Sequence, residues 1–477
     1  MNSVAGALER LSSTAEAPTT ASLSKAFAAA GRELALVGGP VRDAFLGREA
    51  PDLDFTTDAR PDEILSIVGP IATAHWDVGR DFGTIAAKVR GETVEITTYR
   101  ADSYDSSSRK PEVAFGDSLE ADLVRRDFTI NAMALRLPDR VLVDPTGGIE
   151  DLLAGRLTTA GEPDVSFSDD PLRMMRAARF TGSLGMALDD AALESMTRLS
   201  ERIDIVSAER VRDELVKLIS SPTPHAGLEV LVDTGLAERI LPELPALRLT
   251  VDGEHRHKDV YEHSLTVLDQ AIELEAERSG GAAPDLVVRL AALLHDIGKP
   301  ATRRFEQGGA VTFHHHDVVG AKLARKRLRA LRFDNDTVAH VTKLIELHQR
   351  FYGYTEGGWT DSAVRRYVRD AGEDLERLHI LTRADVTTRN RRKAGRLATA
   401  YDDLEIRIAE LAAREEMAAV RPDLTGDEIM TILGIGPGPD VGRAYRFLME
   451  LRLDEGPMGA EAARERLVSW WATGSGA

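Results

Sequence analysis

The chain has 477 residues, 43% hydrophobic and 29% charged, the composition of a folded protein of several domains rather than a disordered one. Asp plus Glu (78) exceed Lys plus Arg (60), a formal charge of −18 that argues against wrapping nucleic acid through overall charge. Without Cys there is no disulfide, thiolate zinc site or Cys nucleophile. No apolar run reaches the roughly 18 residues of a membrane span, and no basic-then-apolar segment opens the chain, so the expected location is cytoplasmic, with no membrane partner.

Residues 1–30, rich in Ala, Ser and Thr, predict a short helix plus linker. Leu34 to Val37 is a short apolar run stopped by Gly38-Gly39-Pro40. Leu53–Thr57, Gly83–Val89 and Thr93–Tyr99 have strand-like composition, and Arg60–Ile67 has a helical one. Asp102 to Asp117, with Ser106-Ser107-Ser108, predicts a mobile loop able to close over a site. After Gly155 the helical period dominates. The expected fold class is α+β: a small mixed-sheet head (31–155) followed by a long all-α region. That region divides into a helical neck (156–250), a His-rich domain (251–400) and a helical tail (401–477).

Asp52 and Asp54 are spaced i and i+2 in strand-like sequence, which puts both carboxylates on one face. Side-by-side carboxylates are costly unless a cation neutralises them. Hard oxygens suit Mg²⁺, which commonly binds one or two carboxylates plus substrate phosphates. Upstream, a strand running into Gly38-Gly39 and then a helix exposes backbone N–H groups suited to a triphosphate, and Arg42 adds a fork for phosphate oxygens.

Gly38-Gly39-x-Val41-Arg42-Asp43, then Leu46-Gly47 and Asp52-x-Asp54, resembles the signature of class II template-independent nucleotidyltransferases, the CCA-adding tRNA nucleotidyltransferases and bacterial poly(A) polymerases. Further motifs follow in the family's order: Glu95 to Arg100, Arg125 to Ala132, Asp144-Pro145 with Gly147-Gly148, and Asp169 to Arg176. The resemblance implies a nucleotidyltransferase head using CTP and ATP on the 3′ end of tRNA, with Asp52 and Asp54 holding Mg²⁺. Glu95 is either a third carboxylate near the metals or a strand residue paired with Arg100. Arg126, Asp127 and Asn131 are expected at sugar and phosphate. The family usually has Glu where Asp169 stands, which leaves the role of that position open.

Arg173, Arg176 and Arg179 recur every three residues and form a stripe on one helical face, either a solvated face or, with the motifs around it, nucleotide-binding residues. Asp170, before Pro171, is a helix N-cap candidate. A carboxylate beside a guanidinium also accepts from the amino group and donates to the ring nitrogen of cytosine or adenine, while uracil and guanine present the reverse order. Asp170 and Arg173, at i and i+3, can supply that pair.

The other unusual signal is His. His263 begins a helix, and an apolar helix ends in His295-Asp296. His314, His315, His316, His348 and Asp385 follow. Their spacing resembles the HD phosphohydrolase domain, which implies His263, His295, Asp296 and Asp385 as ligands of a divalent metal, with His316 and His348 as further members. It also implies hydrolysis of a 2′,3′-cyclic or terminal phosphate on RNA ends. Basic runs at Lys322 to Arg332 and Arg389 to Arg396 are either phosphate contacts or solvated faces. Two alternatives stand beside CCA addition: a poly(A) polymerase with the same head, and an HD phosphohydrolase whose silent head only binds RNA.

Overall fold

The computed structural model describes residues 4–49, 52–77, 79–101, 114–248, 260–280, 283–307, 311–351, 353–354, 359–387, 390–415 and 421–473. Most of the polar segment expected to be mobile, residues 102–113, lies outside them. The chain divides into two compact units, Met1–Ile240 and Leu241–Ala477.

In the first unit a seven-stranded mixed sheet is built from β1 (Leu34–Val37), β2 (Leu53–Thr57), β3 (Ala72–Trp76), β4 (Thr84–Val89), β5 (Glu92–Thr98), β6 (Ala134–Leu137) and β7 (Val141–Val143). Its order is β3-β4-β5-β2-β1-β6-β7. β2 and β5 run parallel and the other neighbours antiparallel. The period-2 pattern of β4 and β5 makes two unlike faces. Ile85, Ala87, Val89, Val94 and Ile96 are fully buried on one, where the helix Pro61–Val68 packs. Thr84, Ala86, Lys88, Thr93, Glu95 and Thr97 occupy the other and are partly or fully exposed.

Residues 4–29 form two helices, Val4–Glu16 and Pro18–Ala29, where the sequence predicted one helix and a linker. Pro18 starts the second, a position where its missing N–H costs nothing. Buried Leu11, Leu23 and Phe27 supply the packing that propensity alone does not announce. Beyond the sheet, the helix Leu172–Leu184 packs on Ala208–Ile219 and Pro224–Asp233.

The second unit is nearly all helical. Leu286–Leu294 is almost wholly buried and apolar except for Arg289, which pairs with Glu275 at 2.9 Å, as expected for a central helix. Val260–Ser279, Asn335–Leu347 and Leu375–Ala384 pack around it, and His316–Ala330 lies against Asn335–Leu347. The end of the central helix therefore delivers His295 and Asp296 to the middle of the bundle. Three C-terminal helices, Gly426–Leu433, Pro439–Glu455 and Ala460–Ala472, close around Ile429, Leu448 and Leu467. Among the described residues, no helix is long and apolar enough to cross a membrane.

Candidate active sites

Asp54 on β2 stands in register with Glu95 on the parallel strand β5, so both carboxylates leave the same open face. Asp52 lies just before β2 and is exposed. Burial, and next the neighbouring Glu95, push the Asp54 carboxyl up to about 6 against the pull of Arg126. No ion pair joins Asp54 to a described cation. A hard divalent cation fits this donor set, because it relieves the repulsion that the arginines leave standing.

β1 runs into Gly38, whose φ of 74° and ψ of −125° turn the chain directly into the helix Gly39–Leu46. A side chain is disfavoured at that φ, which is the constraint here, since a Cβ would meet Arg126 Nη1 only at an ordinary contact of 3.5 Å. Arg126 is held by Asp122, buried at 2%, to which its Nη2 donates at 3.2 Å. Arg42 Nη1 donates to Asn131 Oδ1 at 2.7 Å, and its Nε to Asp43 Oδ1 at 2.9 Å.

From Arg42 a hydrogen-bonded chain leads to the arginine helix. Asn131 Nδ2 donates to Asp127 Oδ1 at 3.1 Å, and Arg176 Nε to Asp127 Oδ2 at 2.7 Å. Arg179 Nε donates to Glu214 Oε2 at 2.6 Å, with Arg176 also within 4.0 Å of that carboxylate. Burial pushes the Asp127 carboxyl up, but Arg176 and Asn131 outweigh it and hold the group below its usual range. The Arg42, Arg176 and Arg179 guanidinium carbons lie 5.4, 5.6 and 4.0 Å from the Phe180 ring centroid, an added cation–π contact.

Asp170 and Arg173 are close in sequence but engage different partners. Asp170 is extended backbone between the helices Pro163–Asp169 and Leu172–Leu184, and accepts from Leu172 N at 3.3 Å. Both its oxygens accept from Arg210 Nη2, at 3.0 and 3.3 Å. Arg173 donates to Ser166 Oγ at 2.9 Å and to the Arg125 carbonyl at 3.0 Å. The helix N-cap itself is Pro171.

In the second unit, His263, His295 and Asp385 form one group able to hold a metal, and Asp296, His316 and His348 a second. His295, Asp296, His348 and Asp385 directly follow the ends of helices, while His316 opens one and His263 lies in a first turn. Asp296 joins the groups. Its Oδ2 is 3.4 Å from His263 Nε2 and 3.3 Å from His295 Nε2, and its Oδ1 is 3.2 Å from His316 Nε2. Each of the four imidazoles fixes its Nδ1 outside the cluster: His263 on Thr387 Oγ1, and His295, His316 and His348 on carbonyls of Ala292, Phe313 and Ile345. That is the arrangement of metal-binding His, with Nε2 left for the ion. His295 Nε2 is buried without a hydrogen bond of good geometry, which fits a site built for a cation. Burial lowers the affinity of His295 for a proton, but Asp296 and Asp385 outweigh it and raise it to about 10. Burial, and then His295, lower His348 to about 4. Gly298 is obligatory, since a Cβ would lie 2.0 Å from the His316 carbonyl. The cluster opens to a cleft of about 390 Å³ lined also by Lys299, Gln349 and Lys393.

The first basic run divides: Lys322, Arg325, Lys326 and Arg329 are exposed, whereas Arg327 pairs with Glu243 at 2.8 Å. Of the second, Arg391, Arg392, Lys393 and Arg396 are exposed, and Arg389 lies outside the described residues. Sequence reasoning missed Asp122, Arg210 and Glu214. Each acts through a partner it gains in the fold, and only Asp122, four residues before Arg126, had a local signal.

Three family models match the chain: the poly A polymerase head domain over residues 34–158, the probable RNA and SrmB-binding site of polymerase A over 185–247, and the HD domain over 260–390. An A-adding tRNA nucleotidyltransferase of Deinococcus radiodurans is 34% identical over 92% of this chain and 95% of its own. A CC-adding tRNA nucleotidyltransferase of Thermus thermophilus is 31% identical over 91% and 93%. A CCA-adding enzyme of Bacillus pumilus is 40% identical over 46% and 52%. Among solved structures, a Bacillus stearothermophilus CCA-adding enzyme in complex with CTP superposes with a TM-score of 0.66 at 23% identity, covering 96% of this chain and 98% of its own. The chain belongs to the tRNA nucleotidyltransferase and poly(A) polymerase family and carries an HD domain.

Proposed function

We propose that this protein adds C and A, from CTP and ATP, to the 3′ end of tRNA without a nucleic-acid template. The supporting observation is the continuous hydrogen-bonded chain from Arg42 through Asn131 and Asp127 to Arg176, which ties the glycine turn to the arginine helix. Asp52 and Asp54, with Glu95 beside them, would hold Mg²⁺, which when bound neutralises triphosphate charge and activates the attacking hydroxyl. The terminal 3′ hydroxyl attacks the α-phosphate, the bond to the β-phosphate oxygen breaks, and pyrophosphate leaves. Gly38, Gly39, Arg42 and Arg126 cradle the phosphates, Asp127 and Asn131 set the sugar end, and Asp170 and Arg173 read the Watson–Crick edge. Arg176 and Arg179 hold that helix in place. The cytoplasm, where its substrates are, is its working compartment.

The test is incorporation of single nucleotides on tRNA ending before, within and after CCA. CTP addition followed by a single ATP addition supports the proposal. Repeated ATP addition with no use of CTP would instead mark a poly(A) polymerase. Two relatives that align over nearly their whole length are named A-adding and CC-adding, which favours a narrower reading in which the chain adds only one part of the sequence. The same three substrates separate it.

We further propose that the HD cluster is a metal-dependent phosphohydrolase acting on terminal or 2′,3′-cyclic phosphates. His263, His295, Asp296 and Asp385 would hold a divalent ion, with His316 and His348 completing a second position. Lys393 at the cleft suits a phosphate, while Lys299 pairs with Asp296 at 2.6 Å. Opening of a 2′,3′-cyclic nucleotide to its 2′- or 3′-monophosphate, or release of inorganic phosphate from a terminal phosphate, in the presence of Ni²⁺, Mn²⁺ or Co²⁺ tests it, and the absence of both reactions with every one of them refutes it.

A further inference from the structure

Trp76 is the last residue of β3, an edge strand of the sheet, and is 45% exposed. It stands in register with Ala86 on β4, Ala86 with Glu95 on β5, and Glu95 with Asp54 on β2. Residues in register project from the same face of a sheet. Trp76, Ala86, Glu95 and Asp54 therefore form one row on the open face, and the small Ala86 leaves the space between indole and carboxylates clear. At a strand spacing of about 4.8 Å, the Trp76 backbone lies about 10 Å from Glu95 and about 14 Å from Asp54. Lys88, two residues further along β4 on the same face, is exposed and makes no ion pair with a described residue. An exposed indole offers a flat face on which a base can stack.

Position along the row is informative. The glycine turn follows β1, which borders β2 on one side; Trp76 lies on the other, beyond β5 and β4. With triphosphate at the β1 flank, the attacking strand must approach the carboxylates from the opposite flank, as an in-line displacement requires.

We propose that Trp76, with Lys88, is a stacking platform for the single-stranded 3′ end of the RNA primer, an inference that rests on the nucleotidyltransferase function above. The indole takes the face of a base one or two nucleotides back from the reacting hydroxyl, and Lys88 meets the intervening phosphate. Stacking on an indole is tolerant of base identity, which suits a primer whose last bases change as it grows. The row then leads the terminal nucleotide to Glu95 and Asp54.

The experiment uses the full chain and tRNA lacking its 3′ CCA, with Trp76→Ala and Trp76→Phe compared to wild type. Trp76→Ala is expected to weaken tRNA binding, and to raise the KM for tRNA, by about 5- to 150-fold. KM for CTP and ATP should stay within about 2-fold, and Trp76→Phe should recover most of the loss. Indole fluorescence should fall on tRNA binding in wild type, with that fall diminished in Trp76→Phe. Unchanged tRNA affinity in Trp76→Ala overturns the proposal, and so does a nucleotide KM that rises with the tRNA KM, or failure of Phe to rescue. Equal melting temperatures of wild type and variants exclude loss of fold as the cause. If wild type incorporates nothing, the nucleotidyltransferase function fails, and the binding and fluorescence measurements still decide for or against the platform.

Discussion

Two nitrogens of Arg176, Nε at 2.7 Å and Nη2 at 2.5 Å, converge on a single oxygen of Asp127, whose other oxygen accepts from Asn131 Nδ2 and the Phe128 amide. The carboxylate is buried and fully engaged, so its work is to hold parts of the site together. Removing its charge strands a partly buried guanidinium, a change that typically costs about 3–5 kcal/mol. Asp127→Asn should therefore lower the melting temperature and raise the KM for CTP together. The folded-state pKa is depressed, so the stabilisation is present above the unfolded value near 4 and is lost as pH falls through the lower folded value. Denaturant titrations of both proteins from pH 7 to 2.5 should show the gap closing at the acid end.

Asp54 has the opposite sign. Its folded pKa of about 6 exceeds the unfolded value, so the metal-free protein gains stability as pH falls, and loses that gain as pH rises through about 6. At pH 7.5 without metal, Asp54→Asn should melt higher than wild type while losing incorporation by about 1,000-fold or more. Calorimetric titration with Mg²⁺ should show affinity falling below about pH 6, because the ion displaces a proton there.

Base choice should depend on Asp170 as an acceptor. Asp170→Asn replaces one acceptor oxygen with donors, and should lower the preference for CTP and ATP over UTP and GTP by about 100-fold, read as ratios of kcat/KM. Arg210, bound to both Asp170 oxygens, positions that carboxylate. Arg210→Ala should erode the same preference by a smaller factor, and Arg210→Lys should recover part of it.

Asp296 is shared by both groups of the His cluster. Asp296→Asn should lower metal retained by the purified protein, measured by mass spectrometry, and abolish the opening of 2′,3′-cyclic nucleotides to monophosphates. CTP incorporation should remain within about 3-fold, since removing one independent site leaves the other unperturbed.

The parts of these sites that local spacing encodes were open to reading. Asp54 lies on a strand as its neighbours' composition predicted, with Asp52 just ahead of it rather than in it, Gly38-Gly39 punctuates a strand-to-helix corner, and His295-Asp296 ends a largely apolar helix. The mutual arrangement of the six His and Asp residues required the bundle, since no periodicity relates His263 to Asp385. Arg176 and Arg179 recur at helical spacing, which suggests a solvated stripe as readily as a site. What takes them out of solvent is Asp127 and Glu214, brought from a separate turn and a separate helix by tertiary packing. Asp170 looked like an N-cap because Pro171 follows it, but the preceding helix Pro163–Asp169 leaves it extended between two helices, where Arg210 reaches it. The second N-terminal helix went unread because weak formers such as Thr and Ser there are carried by buried Leu23 and Phe27.

The His and Asp cluster draws its members from the ends of separate helices, spread through the chain from His263 to Asp385. An ion seated there would act as a cross-link, pinning the mouths of long loops whose closure otherwise costs entropy. Its removal by a chelator should loosen the second unit by itself, splitting the melt into two transitions that fuse again when metal is restored. The cluster would then serve as a fastener for the bundle even under conditions in which it hydrolyses nothing.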